Sequence, residues 1–231
     1  MLAATEFQGF NGEANPCVVV GDRLQALFLS VGRCQSVARH KPIYSPGDAA
    51  GQFFMVGGGE VRLSRYSNDG RELTLDMRGH GEVFGENGIL NDTPRGCQAV
   101  ARTDALVYTL DKEPLMKALE GDPVLSLELT RYLVRQQARM ENRLETIVFR
   151  SAHAKVAHVL LALGVEHGIE VEDGVLIEYP ITHQELANLI AVTRETVSYA
   201  FMEFRQMGLI ATHRRQTILT DVDGLTMLAE E

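Results

Sequence analysis

The sequence predicts an α+β chain: a β-roll of jelly-roll type, then one long helix, then a mainly helical last third. Three observations carry this reading. From about residue 42 to 110, Gly47, Gly58, Gly70 and Gly81 punctuate short runs of alternating apolar residues. After Gly121-Asp122-Pro123 the apolar period becomes helical and stays so to Phe149. Beyond residue 151, amphipathic segments end on a hairpin-like "GLIATHRRQTILTD".

Taken in order, the first segment contains "QFFMV", "EVRLSRY", "ELTLDM" and "ALVYTL". Val61 and Leu63, then Leu73, Leu75 and Met77, then Leu106, Tyr108 and Leu110 alternate as residues on one face of a strand do. Pro46-Gly47-Asp48 and Ser67-Asn68-Asp69-Gly70 supply the fixed φ of proline and the positive φ of glycine that turns between strands need. Regular turns between short strands indicate a sandwich, jelly roll or barrel. The expected domain, with a short N-terminal helix, is 1–122.

Asp122 and Pro123 form a helix start, an N-cap followed by proline at the first helical position. Leu133, Met140 and Ile147 then recur every seventh residue, with Leu129 and Leu144 widening the stripe and charged residues on the other faces. A narrow stripe on so long a helix suits a second helix, so residues 123–150 are expected to dimerise the chain through Leu129, Leu133, Met140, Leu144 and Ile147.

In the remaining segment, 151–231, "AHAKVAHVLLALGVEHG" is an amphipathic helix and "EVEDGVLIEYP" a turn with a short strand. In "ITHQELANLIAVTRETVSYAFMEF", Thr182 with Glu185 three residues on makes a capping box, and Thr193 caps a second helix. Leu186, Ala187 and Ile190 form the buried face of the first, and Val197, Ala200, Phe201 and Phe204 that of the second. Two capped helices about three residues apart, followed by a hairpin, match a winged helix-turn-helix.

Composition must be weighed against that motif. A chain of 231 residues, 45% hydrophobic and 23% charged, has room for two globular cores, but its formal net charge of −9 opposes phosphate at long range. Residues 181–220 nevertheless hold four arginines against three glutamates, so the segment is +1 and the acidity lies elsewhere. Side chains in the first turns of a recognition helix enter the major groove, which points Arg194, Glu195, Ser198 and Tyr199 at base edges. Thr182, His183, Gln184, Thr193, Thr196, His213, Arg214 and Arg215 lie where phosphates would run.

The order of these elements, with "FGENGILNDTPRG" at 84–96 and "HQELANLIAVTRETVS" at 183–198, resembles the cyclic-AMP receptor protein and fumarate-nitrate regulator (CRP/FNR) family of transcription factors, over about residues 22–221. The resemblance implies a homodimer on a palindromic, TGTGA-like operator, with Arg194 and Glu195 reading G·C pairs. Such a regulator would work with RNA polymerase, and the acidic "GVEHGIEVEDG" slightly favours activation. The chemistry agrees: arginine forks onto guanine and a carboxylate accepts from cytosine N4. Tyr199 stands where the cyclic-AMP receptor has a second base-reading arginine, and Ala191 where glycine is common at the bend.

In nucleotide-binding members a Gly-Glu pair and a following arginine hold the ribose and cyclic phosphate; these fall on Gly85, Glu86 and Arg95. Gly96 replaces a hydroxyl residue, and Met140 and Glu141 stand where adenine is read. The expectation is therefore a regulator without strict cyclic-AMP dependence and with no required cofactor. A cyclic nucleotide or another small ligand in the roll remains the alternative.

Cys17, Cys34 and Cys97 are too few and too scattered for an iron-sulfur cluster or a zinc site. No two of the seven histidines have the close spacing that a cupin-like metalloenzyme, the rival class for a β-roll, would need. No signal-like start and no run approaching 18 apolar residues is present, so a cytoplasmic protein without a membrane partner is expected.

Overall fold

The computed structural model describes residues 20–213 and 216–230. Cys17, Arg214 and Arg215 lie outside the described residues. The chain divides between Gln137 and Ala138, inside the long helix and not at either of its ends.

In the first unit, α1 (Asp22–Val31) precedes strands β1 (Arg33–Val37), β2 (Pro42–Tyr44), β3 (Gln52–Gly58), β4 (Val61–Tyr66), β5 (Glu72–Arg78) and β6 (Val83–Phe84). Then come α2 (Glu86–Asn91), β7 (Gln98–Ala101), β8 (Ala105–Asp111), α3 (Lys112–Gly121) and the start of α4 (Pro123–Phe149). Two antiparallel four-stranded sheets, ordered β1-β8-β3-β6 and β2-β7-β4-β5, make the roll. All four strand-like runs of the sequence are strands of these sheets. The helices α2 and α3 carried no such periodic signal.

Between the sheets, Phe54 stacks on Phe84 with ring centroids 5.0 Å apart, and Tyr44 packs on both. A second cluster joins Leu24 and Phe28 of α1 to Leu125, Leu129 and Tyr132 of α4. Asp122 caps α4 as expected, its carboxylate accepting from the Val124 and Leu125 amides at 3.0 and 3.3 Å. Tyr132 fastens α4 to the roll: its hydroxyl donates to the Val83 carbonyl at 2.9 Å and accepts from the Val83 amide at 3.2 Å.

Two of the five residues expected in a seam on α4, Leu129 and Leu133, pack within their own domain, while Met140 and Leu144 stay exposed. Leu129 is 4% exposed in the core of its own domain, and Leu133 packs on the same core. Ile147 is half-buried. The exposed apolar residues are Val124, Leu127, Val134, Met140, Leu144, Val148 and Phe149, of which Leu127, Val134 and Val148 fall on one seven-residue repeat. The outward stripe is thus displaced by one residue, about 100° round the helix, from the Leu133–Met140–Ile147 repeat.

In the second unit, the end of α4 is followed by α5 (Ala152–His167), β9 (Gly168–Val171), β10 (Gly174–Ile177), α6 (His183–Ile190), α7 (Arg194–Gln206), β11 (Ile210–His213), β12 (Gln216–Leu219) and α8 (Val222–Ala229). The β11–β12 hairpin is the outer half of a sheet ordered β11-β12-β10-β9. Neither that partnership nor α8 was evident from the sequence. On the inner side of α4, Arg139 and Arg143 take over from the apolar residues, and Arg143 donates to the Leu189 carbonyl at 2.9 Å.

α5 buries His158 beside Arg150, whose Nη1 lies 3.4 Å from the imidazole Nδ1. Burial, reinforced by the Arg150 charge, pushes the His158 pKa down to about 4 from 6.5. The ring is therefore neutral in the folded chain, while the unfolded chain binds a proton below pH 6.5. Stability is full above that pH and is lost as the pH falls towards 4, by about 2 kcal/mol between pH 7 and 5. Thermal unfolding of the full chain at those two pH values should show this loss, and His158→Gln should flatten it. An unchanged pH dependence in His158→Gln would mean that other groups carry it.

Candidate nucleic-acid interface

Helices α6 and α7 owe their ends to threonines. The Thr182 hydroxyl accepts from the Glu185 amide at 3.1 Å while the Glu185 carboxylate accepts from the Thr182 amide at 2.8 Å, a complete capping box. Thr193 accepts from the Thr196 amide at 3.2 Å and its hydroxyl meets that of Thr196 at 2.9 Å. Between the helices Ala191 takes a left-handed conformation, φ 56° and ψ 44°. A side chain in that region costs roughly 1 kcal/mol, which is why glycine is favoured at such a bend.

Val197, Ala200, Phe201 and Phe204 are buried, leaving Arg194, Glu195 and Tyr199 exposed on α7. Arg194 and Glu195 are its first two residues, projecting into solvent from the end that carries the positive helix dipole. Thr182, Gln184, Thr193 and His213 are also exposed and Thr196 is half-exposed. Gln184 donates to Asn188 at 2.8 Å.

Three side chains, two of them a pair, have roles the sequence did not suggest. The Ser198 hydroxyl donates to the Arg194 carbonyl at 2.9 Å, so the His183 Nδ1 at 2.9 Å supplies the proton of their mutual hydrogen bond. His183 also packs on Phe201, with centroids 4.5 Å apart. Burial first, then the charges of Arg194 and Arg205, holds its pKa below the ordinary imidazole value. The pair is a strut between α6 and α7: Ser198 has no proton left for a base edge, and His183 is a neutral ring where the sequence suggested a phosphate contact.

The third is Glu203, one helical turn after Tyr199. Its carboxylate lies 2.6 Å from Nε2 of His153 on α5, and its proximity raises the Tyr199 pKa above the ordinary phenol value. The i,i+4 spacing of Tyr199 and Glu203 was readable from the sequence. The approach of His153, 46 residues earlier in the chain, was not.

Comparison with known proteins agrees with both halves of the chain. Residues 34–122 match the cyclic nucleotide-binding domain family and residues 154–228 the Crp-like helix-turn-helix domain family. The cyclic AMP receptor protein of Thermus thermophilus is 32% identical over 184 residues, covering 80% of this chain and 82% of that protein. The chain belongs to the CRP/FNR family of transcriptional regulators. The CRP-like cAMP-activated global transcriptional regulator of Mycobacterium tuberculosis is 27% identical, covering 83% of this chain and 85% of that protein. A solved CRP/FNR-family regulator from Thermus thermophilus superimposes with a TM-score of 0.71 at 28% identity, covering 86% of this chain and 99% of that one. These relatives are CRP/FNR transcription factors, which sets aside the cupin-like metalloenzyme.

Membership in CRP/FNR raises the question of how well the roll fits a cyclic nucleotide. Gly85 adopts φ 86°, and a Cβ there would stand 2.7 Å from Arg95 Nη1, so glycine is required twice over. Glu86 opens α2, and its Oε2 is buried with no hydrogen-bond partner among the described residues, which suits a ribose hydroxyl. Arg95 fits less well. It is 5% exposed, donates from Nη1 to the Gly85 carbonyl at 2.6 Å and from Nη2 to the Gln52 carbonyl, and lies 4.5 Å from the Tyr44 ring centroid. Two edges of the guanidinium fork are thus spent on the chain's own backbone. Gly96 offers its carbonyl to Arg65 at 3.0 Å. Gly85, Glu86 and Arg95 come together in the roll, whereas the exposed Met140 and Glu141 lie on the part of α4 that belongs to the second unit.

Proposed function

We propose that this regulator is a homodimer that reads an inverted-repeat operator with TGTGA-like half-sites, and that it does so without requiring cyclic AMP. The observation that carries the reading is the exposed Arg194–Glu195 pair at the capped start of α7. An arginine there takes guanine O6 and N7 together, and its glutamate neighbour accepts from cytosine N4. The exposed Thr182, Gln184, Thr193 and His213 and the half-exposed Thr196 serve phosphates, as do Arg214 and Arg215 by their place in the sequence. The outward apolar stripe of α4, Leu127, Val134, Leu144 and Val148, supports the dimer. The β9–β10 hairpin exposes Glu170, Glu172 and Asp173, an acidic surface suited to activation through RNA polymerase.

Independence from cyclic AMP rests on Arg95. A cyclic phosphate could take both edges of the guanidinium only if the bonds to Gly85 and Gln52 were given up. The deciding experiment is retardation of an operator duplex, selected from a random pool by the full chain, with and without cyclic AMP. Arg194→Ala is expected to lose about 1–3 kcal/mol on that duplex and little on random DNA. An equal loss on both would reduce Arg194 to a phosphate contact. A tenfold gain in affinity with cyclic AMP, abolished by Arg95→Ala, would restore nucleotide control.

A further inference from the structure

Helix α7 is held from two neighbouring helices by side chains of one kind. From the first residue of α6, His183 gives its Nδ1 proton to the Ser198 hydroxyl at 2.9 Å, and its ring centroid lies 4.5 Å from that of Phe201. From the second residue of α5, His153 brings Nε2 to 2.6 Å from the Glu203 carboxylate, and its ring meets that of Phe204 edge-on at 6.0 Å. A bare nitrogen lone pair would be repelled by a carboxylate at that separation, so Nε2 of His153 carries a proton. Each imidazole thus meets one polar side chain of α7 and packs on one of its buried aromatic rings.

At about 100° and 1.5 Å per residue, the half-buried Ser198 and Glu203 stand about 140° apart round the helix and about 7.5 Å apart along it. The exposed Glu195, Tyr199 and Met202 fall within that arc, while Val197, Ala200, Phe201 and Phe204 face the core on the other side. Hydrophobic contact is non-directional and leaves a packed helix some freedom to roll. A polar contact at each margin of the outward face opposes roll in both senses. We infer that His153 and His183 are positioning residues, which fix the rotation of α7 about its axis so that Arg194 and Glu195 meet the groove at one angle. The inference rests on the DNA-reading function of α7 proposed above.

Amide side chains test it, because asparagine places its NH₂ near the position of imidazole Nδ1 and glutamine near that of Nε2. The full-length protein is used to select an operator duplex from a random pool, and the ratio of operator to random-DNA affinity is then measured for each variant. His153→Ala and His183→Ala should each lower that ratio about fivefold or more, the least that one bidentate base contact is worth. His183→Asn and His153→Gln, which keep the donor in place, should restore it, whereas His183→Gln and His153→Asn should not. Thermal melting shows which variants fold; where an alanine variant does not, the comparison of the two amides decides. Equal losses on operator and random DNA would make the histidines phosphate contacts and overturn the inference. Unchanged ratios in both alanine variants, or equal ratios in the asparagine and glutamine variants of either residue, also overturn it, since ring packing alone would then set α7. Failure to enrich any sequence from the pool would instead refute DNA reading itself, before any variant is made.

Discussion

The double variant Leu144→Glu, Val148→Glu is expected to sediment as a monomer and to bind an operator duplex 10²- to 10⁴-fold more weakly than the unaltered protein. Both positions are largely exposed within the chain, at 53% and 65%, so the substitutions touch no core of their own domain. Across a two-fold axis they would bring four carboxylates together in an apolar seam, where each must be desolvated beside others of the same sign. A dimer on an inverted repeat binds its second half-site at high effective concentration, and a monomer forfeits that advantage without losing any contact of its own recognition helix. Melting of the variant should therefore stay within about 0.5 kcal/mol of the parent domain's stability while operator binding collapses. Persistence of the dimer would place the interface away from α4. Met140→Glu, on the repeat that the sequence first suggested, should have a smaller effect than the pair.

That difference shows where sequence reasoning stopped. Two apolar stripes run side by side along α4, one through Leu129 and Leu133 and the other through Leu127, Val134 and Val148, and both carry helical spacing. Periodicity reveals that such stripes exist but not which one the attached β-roll covers, because that depends on Tyr132 reaching Val83, 49 residues away. The helix-turn-helix was legible for the opposite reason. Its determinants, the Thr182–Glu185 box and the Thr193 cap, are interactions over three residues that the chain carries wherever it folds. The strand runs of the roll were legible by alternation, while α2 and α3 are too short or too weakly patterned to announce themselves.

The candidate sites divide along the same line. Arg194 and Glu195 stand exposed at a capped helix start that spacing alone locates. Gly85, Glu86 and Arg95 were found by resemblance, but the state of Arg95 was not. Its seating on Tyr44 and its bond to Gln52 involve residues more than 40 positions earlier, brought close by the sheet pairing. The same holds for the Ser198–His183 strut, which turns two expected DNA contacts into scaffolding.

The other large effect is expected inside the β-roll, at Arg78. This guanidinium is buried at the end of β5, 3.0 Å from Asp76 and 3.9 Å from Glu82, and it donates to Gln136 of α4 at 2.7 Å. Burial by itself would lower its pKa, but the opposing fields, with the Asp76 carboxylate foremost, raise it above the ordinary arginine value, so it is a cation at every accessible pH. Replacing it by leucine fills much of the volume yet leaves two carboxylates short of their counter-charge; Glu82 keeps its bond from the Gly79 amide at 2.7 Å, but not its cation. Breaking one side of such a buried pair typically costs about 3–5 kcal/mol. Arg78→Leu should therefore unfold the roll at markedly lower denaturant. Adding Asp76→Asn and Glu82→Gln should recover a large part of the loss, because it removes the uncompensated charge and keeps the cavity filled. The triple variant separates charge from shape: if it is no more stable than Arg78→Leu alone, the cost lies in the lost packing and the Gln136 bond. A single-variant loss below about 1 kcal/mol would mean that water reaches Asp76 and Glu82, and that Gln136 is held to the roll by Tyr132 and the surrounding core alone.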